Sequence, residues 1–521
     1  MEKIRTEKKT SAKNSAGRLI MAILAFLLQI VWIEVLVLLI SRYSALINLV
    51  WTVIALIIVL KMYGQTSSAT IRLPWIIFML ALPVMGVPLY FLYGRSVITK
   101  KARKRFDEIG EETKQYMIQD KEVADKLAST DLGVSNEFRY LYNHMNFPVY
   151  TNSKVEYHGC SEDGIESLIE TLKLAKKFIF MEYHAIEDAV SFGRIKDVLI
   201  SKAAAGVEVR LFYDDVGSIF FLNTDFIKEM REKGIDCRVF NPVRAIFNIF
   251  MNNRDHRKIT VVDGLYAVTG GYNLADEYFN ITHPYGEWYD TGIKVTGEAV
   301  HNYTIIFLAM WNGIKKTDET IDKYIDIDYS EVAHLTRNCD YYVCPYADSP
   351  LGKDRVGENV YLNIIKNAKK YVYITTPYLI ITDEMRRELT LAARRGVDVR
   401  LVTPGIPDKK VTYSMTRSYY PGLVKHGVRI YEFTPGFMHA KQWVCDDEIC
   451  AVNTINMDFR SLYHHFENGT LIYNRETAVE IRRNFEKLFA RSEDVSAKYA
   501  DYKHQQLRLS QCILRLVSPL F

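Results

Sequence analysis

Three long apolar runs dominate the N-terminal part of the chain, at residues 19–40, 45–60 and 73–93. About 20 consecutive apolar residues cross a bilayer as one helix, whereas the apolar core of a cleaved signal peptide is shorter. The pattern therefore predicts transmembrane helices within residues 19–94, after a basic tail at 1–18. Buried core helices are the alternative interpretation, which three such runs in close succession disfavour.

The flanking charges restrict how these runs cross the membrane. Both the tail and the stretch at 95–105 are rich in Lys and Arg, and the positive-inside rule places such segments on the cytoplasmic side. Three full crossings cannot satisfy this rule. Either the run at 45–60 does not cross, or the third run, interrupted by Pro83, Gly86 and Pro88, dips into the membrane and returns. We expect an even number of crossings, with the rest of the chain cytoplasmic.

Beyond residue 150, helix-period stretches alternate with short runs rich in Val, Ile, Tyr and Phe. This alternation is typical of βαβ units in a mostly parallel sheet. Similar segments also occur twice, as the pairs 175–181 with 368–374, 205–212 with 395–402, and 234–242 with 427–435. The sequence thus predicts a charged linker, two duplicated α/β halves and a C-terminal amphipathic segment, at 95–150, 151–335, 336–500 and 501–521. For the last segment we favour a docked helix over contact with the membrane surface.

Each half carries the same polar motif: a His, a Lys two residues later, an Asp five residues after the Lys, and an Asn ten residues past the Asp. The members are His256, Lys258, Asp263 and Asn273 in the first half and His439, Lys441, Asp446 and Asn456 in the second. One match to so short a pattern is only a hypothesis. Two matches with the same downstream Asn indicate a duplicated active-site half.

The residue types of this motif suit chemistry on a phosphodiester. Lys and Asn donate hydrogen bonds to phosphate oxygens, and two imidazoles can divide the roles of nucleophile and general acid–base. The His and Lys of a strand share one face because they are two residues apart. The Asp falls at a tight turn, so we interpret Asp263 and Asp446, although members of the candidate catalytic set, as structural. No metal-binding pattern or P-loop occurs, so no metal or cofactor is predicted.

The chain resembles the phospholipase D superfamily and, within it, the bacterial cardiolipin synthases. The two motifs, the run 456–461, the Phe466-Glu467 pair and the apolar segment ending at Gly94 carry this resemblance. It implies two phospholipase D-like halves around one shared active site and a covalent phosphatidyl-histidine. It also implies phosphatidyl transfer between two phosphatidylglycerol molecules, with release of glycerol, in the bacterial plasma membrane.

The resemblance also implies roles for individual residues. His256 is the nucleophile, His439 is the general acid and base, and the motif Lys and Asn residues hold the phosphate. An acidic residue from the opposite half orients each His, and the matching positions are Asp290 and Glu467. Asn453 and Thr454 stand where small residues are usual, which leaves open the backbone conformation beside the second phosphate site.

Two other functions compete with lipid synthesis. A phospholipase D-type hydrolase or alcohol-exchanging enzyme uses the same half-reaction, and the motifs do not separate it from a synthase. A non-catalytic membrane scaffold is disfavoured because both motifs are intact. A net charge of +4 with nearly balanced Lys, Arg, Asp and Glu gives no indication of nucleic-acid binding. The expected partners are phosphatidylglycerol and the bilayer, and the oligomeric state is open.

Overall fold

The computed structural model describes residues 45–518, except 66–67, 95–99, 224, 243–252, 319, 338–340, 353 and 502–506, together with some positions between 20 and 35. The first apolar run at 19–40 lies largely outside the described residues. So do residues 243–251, an apolar stretch before the first motif for which the sequence leaves open contact with lipid or packing as a short buried helix.

Three apolar helices open the continuous part of the chain: α1 (Ala45–Tyr63), α2 (Ala69–Ala81) and α3 (Pro83–Tyr93). Of the described helices, α1 is the one that is long and apolar enough to cross a membrane, and only 11% of its apolar window is buried. Helix α2 has 13 residues and is therefore about 20 Å long, whereas the hydrocarbon core is about 30 Å thick. The third apolar run at 73–93 is therefore divided between two helices that meet at Leu82.

Helices α2 and α3 form an antiparallel hairpin that reverses at Leu82. Pro83 disfavours helical backbone in the residue before it, and Leu82 has φ −137° and ψ 71°. The rings of Trp75 and Tyr90 meet across the hairpin with centroids 5.7 Å apart. Closer to the turn, a Cβ on Gly86 would lie 2.7 Å from the Cα of Met79. Gly86 therefore allows the two helices to pack at backbone contact.

The residues predicted as a charged linker form three helices instead: α4 (Lys100–Lys114), α5 (Lys121–Thr130) and α6 (Leu132–Met145). The side chains of Asp120 and Asp131 cap the N-termini of α5 and α6. Phe138 and Leu141 of α6 are buried in the core of the second half. This segment is therefore helical and packs against the second half.

The first half contains a seven-stranded sheet in the order β1-β9-β7-β6-β2-β3-β4. Its strands are β1 (Ser153–His158), β2 (Phe178–Tyr183), β3 (Glu208–Asp214), β4 (Ile235–Phe240), β6 (Lys258–Val262), β7 (Tyr266–Gly270) and β9 (Gly292–Gly297). Its helices are α7 (Ser161–Lys173), α8 (Val190–Ala204), α9 (Asp215–Ser218), α10 (Phe226–Glu232) and α11 (Val300–Ile314). Only β2, β3 and β4 are parallel, so the sheet is mixed and the prediction of a mostly parallel sheet is wrong.

The second half repeats this order in a nine-stranded sheet, β10-β17-β16-β15-β11-β12-β13-β18, with a short strand of the first half, β5 (Arg254–Asp255), attached to β17. Its strands are β10 (Tyr342–Asp348), β11 (Tyr371–Thr375), β12 (Asp398–Pro404), β13 (Arg429–Phe433), β15 (Gln442–Cys445), β16 (Ile449–Asn453), β17 (His465–Tyr473) and β18 (Ser492–Asp494). Its helices are α13 (Val356–Asn367), α14 (Asp383–Arg394), α15 (Lys410–Val424), α16 (Phe459–Tyr463), α17 (Arg475–Ala490) and α18 (Ser496–Ala500), whereas the short helix α12 (Ala333–Thr336), just before β10, packs against β1 and β9 of the first half. The matching strand orders confirm the duplication.

The two halves exchange short strands beside the motif histidines. Strand β5 (Arg254–Asp255) of the first half pairs with β17 of the second, and β14 (Gly436–Met438) of the second pairs with β8 (Glu287–Tyr289) of the first. The backbone N–H of His256 donates to the carbonyl of Phe466 at 2.8 Å, and that of His439 donates to the carbonyl of Tyr289 at 2.8 Å. Each motif histidine is thus fixed to the opposite half.

The last helix, α19 (Leu509–Leu516), docks on α15. The guanidinium of Arg515 donates from Nε to the hydroxyl of Ser418 at 3.0 Å, and Leu514 packs against the core of the second half. Leu509 and Ile513 remain exposed, at 78% and 55%. The structure therefore shows the docked helix that the sequence favours.

Candidate active site

The motif histidines and lysines of both halves lie in one buried cluster. His256 and His439 are 7% and 6% exposed, and Lys258 and Lys441 are 0% and 1% exposed. Burial lowers the pKa of His256 most, and the charge of Lys258 lowers it further. Lys441 and His439 add to this lowering. The two motifs, far apart in sequence, thus share a single electrostatic environment.

A carboxylate from the opposite half holds each histidine through its Nδ1. Glu467 lies 2.9 Å from Nδ1 of His256, and Asp290 lies 2.5 Å from Nδ1 of His439. Both carboxylates are fully buried. A carboxylate accepts the Nδ1 proton, so the Nε2 lone pair of each neutral imidazole is left available for chemistry.

The two carboxylates are supported differently. Gly271 lies directly against Asp290, where an added Cβ would be 2.1 Å from Oδ1. The equivalent Thr454 instead donates its hydroxyl to Glu467 Oε2 at 2.5 Å. Neither Thr454 nor Asn453 adopts a positive φ, so this site has ordinary backbone geometry without glycine.

The lysines contact the motif histidines themselves. Lys258 Nζ donates to the carbonyl of His256 at 2.7 Å, and Lys441 Nζ lies within 3.0 Å of both ring nitrogens of His439. Burial lowers the pKa of Lys258 to about 8 and that of Lys441 to about 7, although nearby carboxylates oppose the shift. Burial, followed by the charge of Lys441, lowers the pKa of His439 to about 3. Both histidines are therefore neutral at pH 7 in the substrate-free protein.

The two motif asparagines differ in their hydrogen-bond partners. Asn273 accepts the backbone N–H of Ala185 at 3.1 Å and donates to the hydroxyl of Tyr278 at 2.8 Å. The Tyr278 ring in turn lies 5.2 Å from that of His439. Asn456 Oδ1 is buried without a hydrogen-bond partner. The first amide is thus largely occupied by the protein, whereas the second has an amide oxygen that is free to accept a hydrogen bond.

The motif aspartates lie outside this cluster, at the far end of the strand that follows each motif Lys. Both occupy the left-handed region, with φ 55° for Asp263 and 56° for Asp446. Their carboxylates accept three backbone N–H groups each, at 2.6–2.8 Å, from residues 176–178 and 369–371. This geometry fastens the motif hairpin to β2 or β11 and leaves no contact with the catalytic groups.

Sequence reasoning missed one histidine of the cluster. His184 follows β2, donates from Nδ1 to the carbonyl of Asp255 at 2.7 Å, and places its ring 4.9 Å from that of His256. Burial lowers its pKa to about 3. Its position at the carboxyl end of a parallel strand beside β6 was a usable signal, and the matching position of the second half is Pro377.

One group of described residues could offer ligands to a metal ion. Nitrogen and oxygen atoms of His256, His465 and Glu467 lie within 4.8 Å of one another. However, Arg460 Nε lies 3.3 Å from His465 Nε2 and donates to it. The proton of a neutral His465 is then on Nδ1, where a metal would need the lone pair. The donor set therefore suits hydrogen bonding better than metal binding.

Comparisons with known proteins agree with this site. The family profile described as "Cardiolipin synthase, PLD-like domain" matches residues 168–311 and 361–489, and that described as "Phospholipase_D-nuclease N-terminal" matches 50–95. A phosphatidylserine synthase structure from Haemophilus influenzae shares the fold, with a TM-score of 0.53, 16% identity, and coverage of 74% of this chain and 97% of that one.

Relatives of similar length extend the match over most of the chain. An uncharacterized protein of Streptococcus mutans is 38% identical over 89% of this chain and 99% of its own. Cardiolipin synthases of Alkalihalophilus pseudofirmus and Geobacillus kaustophilus are 31% and 30% identical, over 91% and 90% of this chain and 93% and 92% of theirs. With two motif halves, a shared buried site and these relatives, the chain belongs to the cardiolipin synthase family of phospholipase D-like enzymes.

Proposed function

We propose that the protein makes cardiolipin by transferring a phosphatidyl group from one phosphatidylglycerol to another, with release of glycerol. One observation carries this proposal. Two buried imidazoles, each held by a carboxylate of the opposite half, lie beside two buried lysines. Such a site fits nucleophilic catalysis on an anionic phosphodiester. The named relatives favour synthesis over hydrolysis, which shares the first half-reaction.

In the first step, Nε2 of His256 attacks the phosphorus of the donor lipid. The phosphorus–nitrogen bond forms as the bond to the glycerol oxygen breaks, and His439 supplies the proton that this oxygen takes up. Lys258, Lys441 and Asn456 stabilise the charge on the phosphoryl oxygens. Glu467 keeps the proton of His256 on Nδ1, so that Nε2 is the nucleophile.

His439 needs a proton that it lacks in the substrate-free protein. A bound phosphodiester brings a negative charge that offsets the lysine charges, and this raises the pKa of His439. Tyr278 and Trp288 place rings 5.2 and 5.1 Å from His439, and aromatic rings stabilise a nearby cation.

In the second step, His439 removes a proton from a hydroxyl of the second phosphatidylglycerol. The oxygen attacks phosphorus, and the bond to His256 breaks with its electron pair returning to Nε2. The bonds made and broken are nearly equivalent, so the reaction runs close to equilibrium and added glycerol reverses it.

The membrane arrangement that we propose has an even number of crossings, made by the run at 19–40 and by α1. The hairpin of α2 and α3 then enters the membrane and returns to the same side, which places the catalytic halves in the cytoplasm. The reversal at Leu82 and the short length of α2 support this arrangement. A cysteine placed at Leu82 should resist a membrane-impermeant thiol reagent from both sides; labelling from the non-cytoplasmic side would contradict the hairpin.

Trapping the covalent intermediate tests the proposed chemistry. The enzyme is mixed with phosphatidylglycerol labelled in its acyl chains, denatured within the first turnover and digested. The label should be found on the peptide carrying His256 and be absent from the His256→Ala variant. Label on the His439 peptide would reverse the two roles, and no labelled peptide under any quench condition would contradict covalent catalysis.

A further inference from the structure

The parallel strands of both sheets end around the catalytic groups. Strands β2, β3 and β4 run parallel in the first half, as do β11, β12 and β13 in the second. Strand β6 pairs antiparallel with β2, and β15 with β11, so each of these motif strands begins beside the end of its neighbour. His256 and His439 lie just before the motif strands. We call this side of the two sheets the active-site edge.

Most of the exposed large apolar side chains of the two halves lie at this edge. The described residues of 151–500 include eight such side chains. Five of the eight follow β2, β3, β7 or β12, all of which end at the active-site edge. We call these five the rim: Val190, Phe220, Ile281, Ile406 and Val411, which are 60%, 53%, 44%, 39% and 48% exposed. Exposed apolar side chains that gather at one place mark an interaction surface.

The rim residues of the first half are held beside the first motif. The backbone N–H of Val190 donates to Asp276 Oδ2 at 3.4 Å, and that of Ile281 donates to the carbonyl of Asp276 at 3.0 Å. Asp276 stands three residues after the motif asparagine. Phe220 follows α9, whose glycine leaves no room for a Cβ against the carbonyl of His184. These three side chains therefore border the site on the side of the first half.

The rim residues of the second half are held beside the second motif. The backbone N–H of Ile406 donates to the carbonyl of Gly436 at 3.1 Å, and Gly436 belongs to β14, directly before that motif. Val411 lies in the first turn of α15. Three residues earlier, Asp408 accepts the hydroxyl of Tyr378, just after β11, at 2.5 Å. The rim therefore continues on the other side of the site.

The membrane hairpin joins the catalytic part at the same edge. Ile71 of α2 packs against the core of the second half. A cavity of about 520 Å³ lies between the two, with Trp75 and Tyr90 on the hairpin side and Glu384 and Tyr463 on the other. Glu384 lies in the first turn of α14, which follows β11, and Tyr463 ends α16, just after the second motif. The hairpin and the rim thus both lie at the active-site edge.

We propose that the rim enters the interface of the lipid bilayer, so that a phosphatidylglycerol headgroup reaches the motif histidines while its acyl chains stay in the membrane. This inference rests on the proposed function and on the proposed entry of the hairpin into the membrane. Apolar side chains at a membrane surface are stable at the boundary of headgroups and acyl chains. A protein partner that covered all five residues would close the way to the histidines, whereas a fluid bilayer covers them and supplies the substrate.

Spin labels test the position of the rim without reference to activity. The labels are attached to single cysteines in Phe220→Cys, Ile281→Cys and two control variants, Leu174→Cys and Leu391→Cys. Each variant also carries Cys512→Ser, which removes the exposed cysteine of the described residues, and the signal of the Cys512→Ser protein is subtracted. The two control leucines are 46% and 43% exposed and lie in the segments that lead into β2 and β12, at the opposite edge. In phosphatidylglycerol bilayers, labels at the rim should collide more with oxygen, which concentrates in the membrane, than with a water-soluble nickel complex. Labels at the control positions should show the reverse.

Removal of apolar side chains tests what the rim does. The double variant Phe220→Ser/Ile281→Ser should lower kcat/KM for long-chain phosphatidylglycerol in bilayers about fivefold, because less apolar surface leaves water when the site meets the membrane. The rate with a short-chain phosphatidylglycerol that is monomeric in water should stay nearly unchanged. Leu174→Ser/Leu391→Ser is the matched control and should equal the wild type with both substrates.

Three results would overturn the inference. The first is equal accessibility to oxygen and nickel at the rim and control labels. The second is equal losses of rate with the long-chain and short-chain substrates. The third is shielding of the rim labels in detergent that increases with protein concentration, which would assign the rim to contact with a second copy of the chain. If the wild type forms no cardiolipin from either substrate, the proposed function fails, whereas the label positions still decide whether the rim lies in the bilayer.

Discussion

The surroundings of the two motif histidines differ although their motifs are the same. His256 lies among polar groups: Glu467, Thr454, His465, Arg460 and His184. His439 has a single carboxylate, the amine of Lys441 and three aromatic rings, from Tyr278, Trp288 and Phe437. The duplication preserved the reacting groups, and the residues around them diverged.

This difference favours a division of labour between the halves. A nucleophile that forms a bond to phosphorus needs a fixed proton on its remote nitrogen, which the hydrogen-bonded carboxylate beside His256 provides. A proton carrier must alternate between neutral and cationic forms. Nearby aromatic rings suit that exchange at His439, because they stabilise its cationic form.

The largest effect should come from His256. We expect His256→Ala to lower turnover by about 10⁴-fold or more, because no other group can form the bond to phosphorus. Cardiolipin formation by the purified variant measures this. His426→Ala, at a histidine that contacts Arg394 on the surface, is the control, and undiminished turnover in His256→Ala would contradict the assignment.

A substrate with an activated leaving group tests the same comparison more sharply. The nitrophenyl ester of phosphatidic acid expels nitrophenolate without a proton, so His439→Ala should release about one equivalent in a burst. His256→Ala should release none. A burst from His256→Ala alone would exchange the two roles.

Lys441 should have the next largest effect. Replacing it with Met should lower kcat/KM by about 10²- to 10³-fold, since one donor to the phosphoryl oxygens is lost. A lysine with a lowered pKa is charged below that pKa and neutral above it. The wild-type kcat/KM should therefore fall as the pH rises through about 7, with a further contribution from Lys258 at about 8.

The permanently charged Lys441→Arg variant separates charge from geometry. Its overall rate should be lower, but its alkaline fall should move toward the pH at which Lys258 loses its charge. A profile that falls at the same pH in both enzymes would show that Lys441 does not titrate in this range.

A smaller effect on kcat should come from Thr454, which donates to Glu467 and has no counterpart beside Asp290. We expect Thr454→Val to lower kcat about fivefold, because Val has a shape similar to that of Thr but no hydroxyl to donate to Glu467. Steady-state kinetics with phosphatidylglycerol measure the change. Thr454→Ser keeps a hydroxyl that can donate to Glu467 and should recover most of the activity. Equal rates in Thr454→Val and the wild type would show that this contact does not contribute to catalysis.

The smallest effect on catalysis should come from the motif aspartates. Asp263→Asn and Asp446→Asn should each lower the free energy of unfolding by about 2 kcal/mol, because three backbone donors lose a charged acceptor. Asn tolerates the left-handed backbone of these positions, so the change isolates the hydrogen bonds. Thermal unfolding in detergent measures the stability, and kcat of the folded enzyme should be near normal. A large loss of kcat without a loss of stability would contradict the structural role.

Local pattern was sufficient for much of the fold and site, and failed where distant segments decide the outcome. The duplicated motif identifies His256 and His439, and the periodicity of two places each Lys beside its His. The alternation of helix-period stretches with short apolar runs does not reveal that the strands after β6 and β15 are antiparallel. For this reason the sequence predicts too many parallel strands. The reversal at Leu82 depends on Pro83, whereas a count of apolar residues along the chain does not detect a reversal.

The neighbours of His256 show the same limit. His184 follows a strand more than seventy residues earlier in the chain, so only the folded chain brings it beside His256. The low pKa of both motif histidines is likewise a product of burial beside two lysines. No spacing in the sequence encodes that environment.

Incubating the purified protein, in detergent, with phosphatidylglycerol as the sole lipid tests the central claim most directly. The account predicts cardiolipin and free glycerol in equal amounts. Phosphatidic acid without cardiolipin would mean that water takes the phosphatidyl group, and it would contradict the account.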